Sequence, residues 1–301
     1  INPLLGAAPD PELVEHIEKK AMSYPGVLGV HDLMIHDYGP GSRLVSFHLE
    51  MDSKDDVMHS HDVIDRIAPF STQCEWDNSG LLVGSADSKV NRIGVVLDIT
   101  VEAIEKARSL GIDTIVAHHP VIFRPISNIP VDSPAYLLVK YGMTAVCSHT
   151  PLDKSIGGVN DALASKLGFT DAAPLFSDGD EAMVRAAEIP ETDAVSLAKY
   201  TAQRLGTTVA LADGGNRIKK VAFCGGAGRD FIGATIEAGC DAYITGEIKH
   251  NEFIESKERG FTVIEAGHIV LLSLQTWNAA VRLRRQSVLT TETTGWMRML
   301  P

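Results

Sequence analysis

Residues 92–120, RIGVVLDITVEAIEKARSLGIDTIVAHHP, decide the fold class of this chain. Two near-continuous apolar runs, Arg92–Ile99 and Asp113–Ala117, flank a segment in which Thr100 can cap a helix over Val101–Leu110. Apolar runs without alternation are typical of strands that are buried on both faces. The stretch therefore predicts two parallel strands joined by a crossover helix.

The same pattern recurs along the chain. A helix through Tyr136–Tyr141 and a strand at Thr144–Cys147 extend the first set. A second set of apolar runs and helical segments follows at Val221–Cys224, Phe231–Ala238, Ala242–Ile244 and Phe261–Ile264. We predict an α/β fold with two similar lobes and parallel-type sheets.

The first segment, residues 1–65, differs in composition from the rest. It carries 12 acidic and 4 basic residues and six of the 11 histidines. A helix beginning at Asp10, a hairpin of Val30–Tyr38 and Leu44–Met51, and a helix from about Asp55 give the order α-β-β-α. This order predicts a partial ferredoxin-like module.

Domain limits follow from these shifts in composition. After the module of residues 1–65, an α/β domain spans 66–268, with lobes at about 66–170 and 215–268 linked by 171–214. Residues 269–301 form an atypical basic tail with four arginines and one glutamate.

Charge and cysteine use exclude several classes of protein. The chain has a formal net charge of −12 and a pI of about 5.3, so its surface repels a phosphate backbone. No apolar run approaches the roughly 18 residues of a membrane span, and four cysteines lack any CxxC pair. We expect a cytoplasmic protein with no nucleic-acid or membrane partner.

Three predicted strands end directly in histidine-containing loops. These loops are AHHP (117–120), SHTPLD (148–153) and EAGH (265–268). Ligand sites in open α/β sheets lie outside the carboxyl ends of the strands, so the loops should converge. We predict that they hold divalent metal through His118, His119, Asp153 and His268.

Several features of these loops allow more than one interpretation. Adjacent histidines on a turn can serve separate metals bridged by Asp153, whereas a strand that merely ends in a hydrogen-bonded histidine binds none. Mixed imidazole and carboxylate ligands suit zinc, iron, manganese or magnesium. His149 and His250 are candidates for orienting ligands or contacting substrate.

Two other motifs favour structural interpretations. Gly225–Gly228 follows a strand, as a phosphate-binding loop would, but close helix packing explains the glycines at least as well. In the turn Trp76–Gly80, the tryptophan is expected in the core, and Asp77 caps the turn or orients a neighbour.

The middle of the chain resembles the GTP cyclohydrolase 1 type 2 homologues, the NGG-interacting-factor-like dinuclear metal-centre proteins. The motifs that carry the resemblance span about two thirds of the chain in the family's order. They are IAPFSTQCEWDNSGLLVGS (67–85), AHHPVIF (117–123), SHTPLDKSIGGVNDALASKLGF (148–169), CGGAGRDFI (224–232), DAYITGEIKHNEF (241–253) and VIEAGH (263–268).

This resemblance implies two lobes around a dinuclear metal cleft, a homohexamer, and hydrolytic opening of the imidazole ring of GTP. It maps the family's metal ligands onto His118, His119, Asp153 and His268. The family's fifth ligand, a glutamate, corresponds to Leu272, so one tight and one weak metal are expected. The family-like sequence is expected to end at His268, and a frameshift or artificial junction is our hypothesis for the tail.

Residues 26–65 resemble another family, the cytoplasmic C-terminal domain of cation diffusion facilitator transporters. The passage is GVLGVHDLMIHDYGPGSRLVSFHLEMDSKDDVMHSHDVID. The resemblance implies zinc binding by His31, His48 and His61 at a dimer interface, although the last strand of that domain is absent. The alternative is a solvated acidic face.

Two functions remain open on the sequence. The first is a metal-dependent hydrolase that acts on a nucleotide-like substrate through two divalent ions. His149 is then the candidate catalytic acid, and Glu247 and Glu265 are either bases or structural groups. The second is a non-catalytic metal-binding or protein-interaction hexamer.

Overall fold

The computed structural model describes residues 27–37, 43–51, 57–176, 182–268 and 291–292. Contacts between Cα atoms divide the chain into two compact units. The first comprises Ile1–His149 with Ala279–Pro301, and the second comprises Thr150–Asn278. Each unit is described by itself.

The described strands and helices alternate through most of the chain. The strands are β1 (Val27–Asp37), β2 (Arg43–Met51), β3 (Gly80–Val83), β4 (Ile93–Val96), β5 (Thr114–Ala117), β6 (Thr144–Cys147), β7 (Ala173–Pro174), β8 (Arg185–Thr192), β9 (Ala210–Ala212), β10 (Ile218–Cys224), β11 (Ala242–Thr245), β12 (Thr262–Glu265) and β13 (Thr291–Glu292). The helices are α1 (Val57–Ile67), α2 (Val101–Ser109), α3 (Pro134–Tyr141), α4 (Thr150–Lys154), α5 (Val159–Leu167), α6 (Ala194–Leu205), α7 (Ile232–Glu237) and α8 (His250–Glu258).

The amino-terminal module contains an antiparallel hairpin of β1 and β2. Its backbone register pairs His31 with His48. The predicted hairpin and the helix after it, α1, are confirmed. The helix expected from Asp10 lies outside the described residues.

The first unit also holds a five-stranded sheet in the order β13-β4-β5-β6-β3. Its four leading strands are parallel neighbours, and β3 runs antiparallel to β6. The βαβ unit predicted from residues 92–120 is confirmed, since β4 and β5 pair in parallel and Thr100 caps α2 by accepting a hydrogen bond from the Ala103 amide at 3.1 Å.

Helices α2 and α3 cover one face of this sheet. Ile104 and Leu138 have no exposed surface, and they belong to the same apolar cluster as Ile115 of β5. Gly142 ends α3 with φ +65°, a left-handed conformation that favours glycine. The fold thus fixes the ends of β5 and β6, from which the next residues project.

The second unit contains a six-stranded sheet in the order β7-β8-β10-β11-β12-β9. The central strands β10, β11 and β12 are parallel, whereas β7, β8 and β9 pair antiparallel. The predicted α/β fold is confirmed, but both sheets are mixed. Residues 171–214, which we set between the lobes, supply β7, β8, α6 and β9 to this unit.

In the part of the chain that the structure describes, no helix combines the length and apolar character that a membrane crossing requires. Three of the four cysteines, Cys147, Cys224 and Cys240, are buried. Their burial fits small apolar side chains within the cores of the two units.

Candidate metal centre

Three histidines meet at the carboxyl ends of β5 and β6. His118, His119 and His149 each offer a ring nitrogen, and these atoms all lie within 4.8 Å of one another. The register explains this, because Ala117 and Cys147 are partners on neighbouring parallel strands and the residues after them leave the sheet at one edge. The predicted histidine doublet and the predicted catalytic histidine therefore occupy one site.

Each imidazole of this cluster is oriented through its Nδ1 atom. The contacts are His118 Nδ1 to the Ser148 carbonyl oxygen at 3.1 Å, His119 Nδ1 to Asp98 Oδ1 at 2.7 Å, and His149 Nδ1 to Asp77 Oδ1 at 2.8 Å. A carbonyl or carboxylate oxygen only accepts, so Nδ1 carries the proton in each ring. This tautomer leaves the lone pair on Nε2, as metal-binding histidines require.

The turn before β3 holds His149 in place. The Asp77 side chain is fully buried, and its Oδ1 also accepts a hydrogen bond from the Asn78 amide at 2.7 Å. Ser79 Oγ donates to Asp77 Oδ2 at 3.2 Å and accepts from the His149 amide at 3.1 Å. Two roles were left open for Asp77, to cap the turn or to orient a neighbour. Its hydrogen bond with His149 Nδ1 supports the second role.

Trp76, expected in the core, is 56% exposed, so that prediction was wrong. Its ring centroid lies 5.9 Å from that of Phe123 and 5.9 Å from that of His149. The side chain projects from a turn, where no periodicity of apolar residues indicates the direction it takes. The aromatic pair therefore borders the histidine cluster.

Asp153 and His268, the other predicted ligands, lie in the second unit. Asp153 is 6% exposed in α4, and its backbone carbonyl accepts a hydrogen bond from Asn160 Nδ2 at 3.0 Å. His268 follows β12, and its Nδ1 lies 3.5 Å from Glu247 Oε2. Their assignment as ligands rests on the sequence resemblance.

Carboxylates gather beside His268. Burial, and next the charge of Glu247, raise the pKa of Glu265 above its ordinary value. A raised pKa means that the neutral form of this carboxyl is favoured relative to a solvated glutamate. His250, the other histidine considered, is exposed at the start of α8.

The glycine-rich segment after β10 is packed closely. A Cβ atom at Gly228 would lie 2.6 Å from Thr245 Oγ1, and one at Gly246 would lie 2.5 Å from the Gly226 carbonyl oxygen. The Gly228 carbonyl accepts a hydrogen bond from the Tyr243 hydroxyl at 2.9 Å. These approaches support the packing interpretation of the glycines rather than a phosphate-binding one.

The structure describes only part of the three histidines for which the sequence resemblance implies zinc binding. The His61 ring packs on Phe70 with centroids 4.6 Å apart, and its Nδ1 lies 3.6 Å from Asp62 Oδ1. For His31 and His48 only the backbone is described. The zinc site suggested for this module therefore stays a prediction.

The donor set fits a divalent transition metal. Imidazole nitrogens suit zinc and iron, and an imidazole backed by a carboxylate or carbonyl is the usual arrangement around such ions. Two of the three histidines here have carboxylate partners and the third has a carbonyl partner.

Family models match two overlapping segments of the chain. Residues 56–287 match Duf34/NIF3 (NGG1p interacting factor 3), and residues 9–68 match the cytoplasmic domain of the cation efflux proteins. The first match continues to residue 287, so the expectation that the family-like sequence ends at His268 was wrong.

Curated relatives and solved structures agree with this match. The chain is 31% identical over 218 residues to a GTP cyclohydrolase 1 type 2 homolog of Clostridium perfringens, covering 68% of this chain and 82% of the relative. A Bacillus cereus protein related to NIF3 shares the fold, with a TM-score of 0.74 and 17% identity over 83% of this chain and 99% of that one. Reduced HcgD from Methanocaldococcus jannaschii has a TM-score of 0.69 and 24% identity, over 80% and 98%.

Proposed function

The chain belongs to the Duf34/NIF3 family, and from that premise we propose that it is a divalent-metal-dependent hydrolase acting on a nucleotide-like substrate. The observation that carries the proposal is the histidine cluster, whose ring nitrogens lie within 4.8 Å of one another. The substrate class comes from the names of the curated relatives, which are homologs of a GTP cyclohydrolase.

His118 and His119 hold the metal in this proposal, with Asp153 and His268 added on the family resemblance. When bound, a divalent ion polarises the attacked bond and lowers the pKa of water towards about 7. Asp98 fixes the orientation of His119, and the Ser148 carbonyl fixes that of His118.

His149 is the proposed acid–base residue. The buried Asp77 carboxylate accepts a hydrogen bond from Nδ1 and so fixes the ring, which leaves Nε2 as the atom that would exchange a proton with the substrate. The other role that His149 allows is that of a third metal ligand, beside His118 and His119. Metal content of a His149→Ala variant separates the two, since loss of metal indicates a ligand and retained metal with lost turnover indicates an acid–base group.

Formate release tests the hydrolase. Opening of the purine imidazole ring of GTP releases formate, which we expect from protein loaded with zinc, iron, manganese or magnesium and not from a His118→Ala/His119→Ala variant. If no formate appears with any of the four ions, the hydrolase proposal is wrong for GTP.

The second candidate is a metal-binding or interaction hexamer without turnover. The match of residues 9–68 to a cation efflux cytoplasmic domain supports it, because the name of that family refers to a cation and not to hydrolysis. Both candidates assume a homo-oligomer, for which a hexamer is proposed on the family resemblance. Light scattering tests this, and a monomer at micromolar concentration would contradict it.

A further inference from the structure

Trp76 and Phe123 form an exposed aromatic pair beside the histidine cluster. Trp76 is 56% exposed and Phe123 is 40% exposed. Their ring centroids are 5.9 Å apart, and the Phe123 centroid lies 6.1 Å from that of His149. Together with the 5.9 Å between Trp76 and His149, the three rings form a nearly equilateral triangle.

The backbone that carries these rings is tied down. Asn78 Nδ2 donates a hydrogen bond at 2.6 Å to the carbonyl of Ile122, which joins the turn of Trp76 to the loop of Phe123. The Ser79 amide donates to Gln73 Oε1 at 2.9 Å on the other side of the turn. Hydrogen bonds therefore fix the backbone next to both aromatic rings. This fixed backbone keeps the Trp76 and Phe123 side chains exposed in the folded chain.

Scattered apolar side chains are ordinary on protein surfaces, and Val131, which is 64% exposed, is one of these. The aromatic pair differs because both of its rings adjoin the ring of His149, whose Nδ1 is fixed by Asp77. Aromatic faces beside polar groups bind planar rings by stacking, and they do so for any base.

We propose that Trp76 and Phe123 form a stacking surface for the planar heteroaromatic ring of the substrate, a purine-type base. The placement of that base beside the metal rests on the proposed function, whereas the stacking does not. Base stacking on one aromatic side chain changes affinity by about 5- to 150-fold. The pair thus selects for a base and not for the sugar or phosphate of a nucleotide.

Fluorescence of Trp76 tests the proposal. The chain has three tryptophans, so a Trp277→Phe/Trp296→Phe background leaves Trp76 as its only indole. GMP and ribose 5-phosphate are titrated into the metal-loaded protein, because the two differ by the base alone. We expect saturable quenching by GMP and none by ribose 5-phosphate, and a decrease in acrylamide quenching as GMP binds.

Variants complete the test by direct calorimetric titration of GMP. In the otherwise unaltered chain, Trp76→Ala and Phe123→Ala should each weaken GMP binding at least 5-fold, Trp76→Phe should retain most of it, and Val131→Ala should not change it. Metal content should be the same in all four variants, which shows that the cluster is intact. Equal quenching by ribose 5-phosphate, or unchanged GMP affinity in both Trp76→Ala and Phe123→Ala, overturns the proposal.

Poor acrylamide quenching of Trp76 before ligand is added also overturns it, because a second copy of the chain then covers the ring. The proposed function fails separately. Base-dependent quenching without formate release refutes the hydrolase and leaves the stacking surface. Formate release with unchanged affinity in Trp76→Ala and Phe123→Ala refutes the stacking surface and leaves the hydrolase.

Discussion

Asp77 Oδ1 lies 2.8 Å from His149 Nδ1, and the Asp77 side chain is fully buried while 16% of the imidazole side chain is exposed. The carboxylate thus holds one ring nitrogen of a histidine whose ring belongs to the cluster with His118 and His119. Removal of such a partner typically costs 10- to 100-fold in metal affinity or activity. This pair is the first target for mutation.

Asp77→Ala should lower metal affinity or formate release by about 10- to 100-fold, because His149 loses both its tautomer and its orientation. Asp77→Asn should retain most of the metal affinity and formate release, since an amide oxygen can accept from His149 Nδ1 while the amide nitrogen donates to Ser79 Oγ. Competition with a chromophoric chelator measures the affinity. Asp87→Ala, at an exposed aspartate with no contact to the three histidines among the described residues, is the matched control and should lose less. Equal losses in all three variants would contradict the orienting role.

Leu272→Glu should raise metal stoichiometry towards two ions per chain, because the family resemblance places a carboxylate ligand there. Elemental analysis of the purified protein measures this. Glu247, whose Oε2 lies 3.5 Å from His268 Nδ1, is the residue best placed to substitute in the natural chain. Glu247→Gln should then lower the metal stoichiometry of the natural chain, and it should not lower that of the Leu272→Glu variant. If Leu272→Glu has no effect while His119→Ala abolishes all binding, the two-ion proposal is wrong.

Asn160→Ala should lower the free energy of unfolding by about 3 kcal/mol, because it leaves buried backbone groups without partners. Asn160 is fully buried, donates to the carbonyls of Asp153 and Met183 at 3.0 and 2.8 Å, and accepts from the Gly225 amide at 2.8 Å. Urea unfolding measures the difference. Asn251→Ala, at an exposed asparagine of α8, should change stability by less than about 0.5 kcal/mol.

Gly228→Ala should destabilise the second unit by about 3 kcal/mol or prevent its folding, because the new Cβ would lie 2.6 Å from Thr245 Oγ1. Gly233→Ala is the control within the same segment. A Cβ there meets nothing within 4 Å, and alanine favours the helix α7, so stability should be unchanged or rise by about 0.5–1 kcal/mol. A tolerated Gly228→Ala variant would reopen the question of a ligand at this loop.

Asp193 caps α6, and hydrogen bonds from the amide and then the hydroxyl of Ser196 lower its pKa. Since the folded-state pKa lies below the unfolded one, the stabilisation is present above the ordinary aspartate pKa and is lost as pH falls through the folded value. The difference in melting temperature between the natural chain and Asp193→Ala should therefore shrink from about pH 7 to about pH 3. Asp193→Asn, which caps without titrating, should show a smaller dependence on pH.

Much of the fold was predictable because buried parallel strands have a strong sequence signal. Thr144–Cys147 was predicted with the bounds that β6 has. The antiparallel strands of the two larger sheets were missed because their patterns are weak. For example, β8 carries Glu188 and Glu191 at exposed positions. Such strands are defined by their neighbours in the sheet and not by their own composition.

The sequence was enough to predict which loops form the site. It was not enough to predict which side chains contact one another there. The sequence placed His149 in a loop beside the doublet, and the parallel register of β5 and β6 was the signal that joins it to His118 and His119. The position of Asp77, 72 residues before His149 in the chain, had no such signal. Side-chain partners across that separation follow from the folded turn alone.

Helix α1 lies within both family matches, which overlap at residues 56–68. Its Ile64 is 4% exposed and belongs to the apolar cluster of Phe70 and Ile93 at the first sheet. The efflux-type module and the NIF3-type domain therefore share one eleven-residue helix. A cut that separates the two leaves at least one of the matched segments incomplete. A truncation that removes the whole efflux-type segment therefore also removes Ile64 from the core of the first sheet.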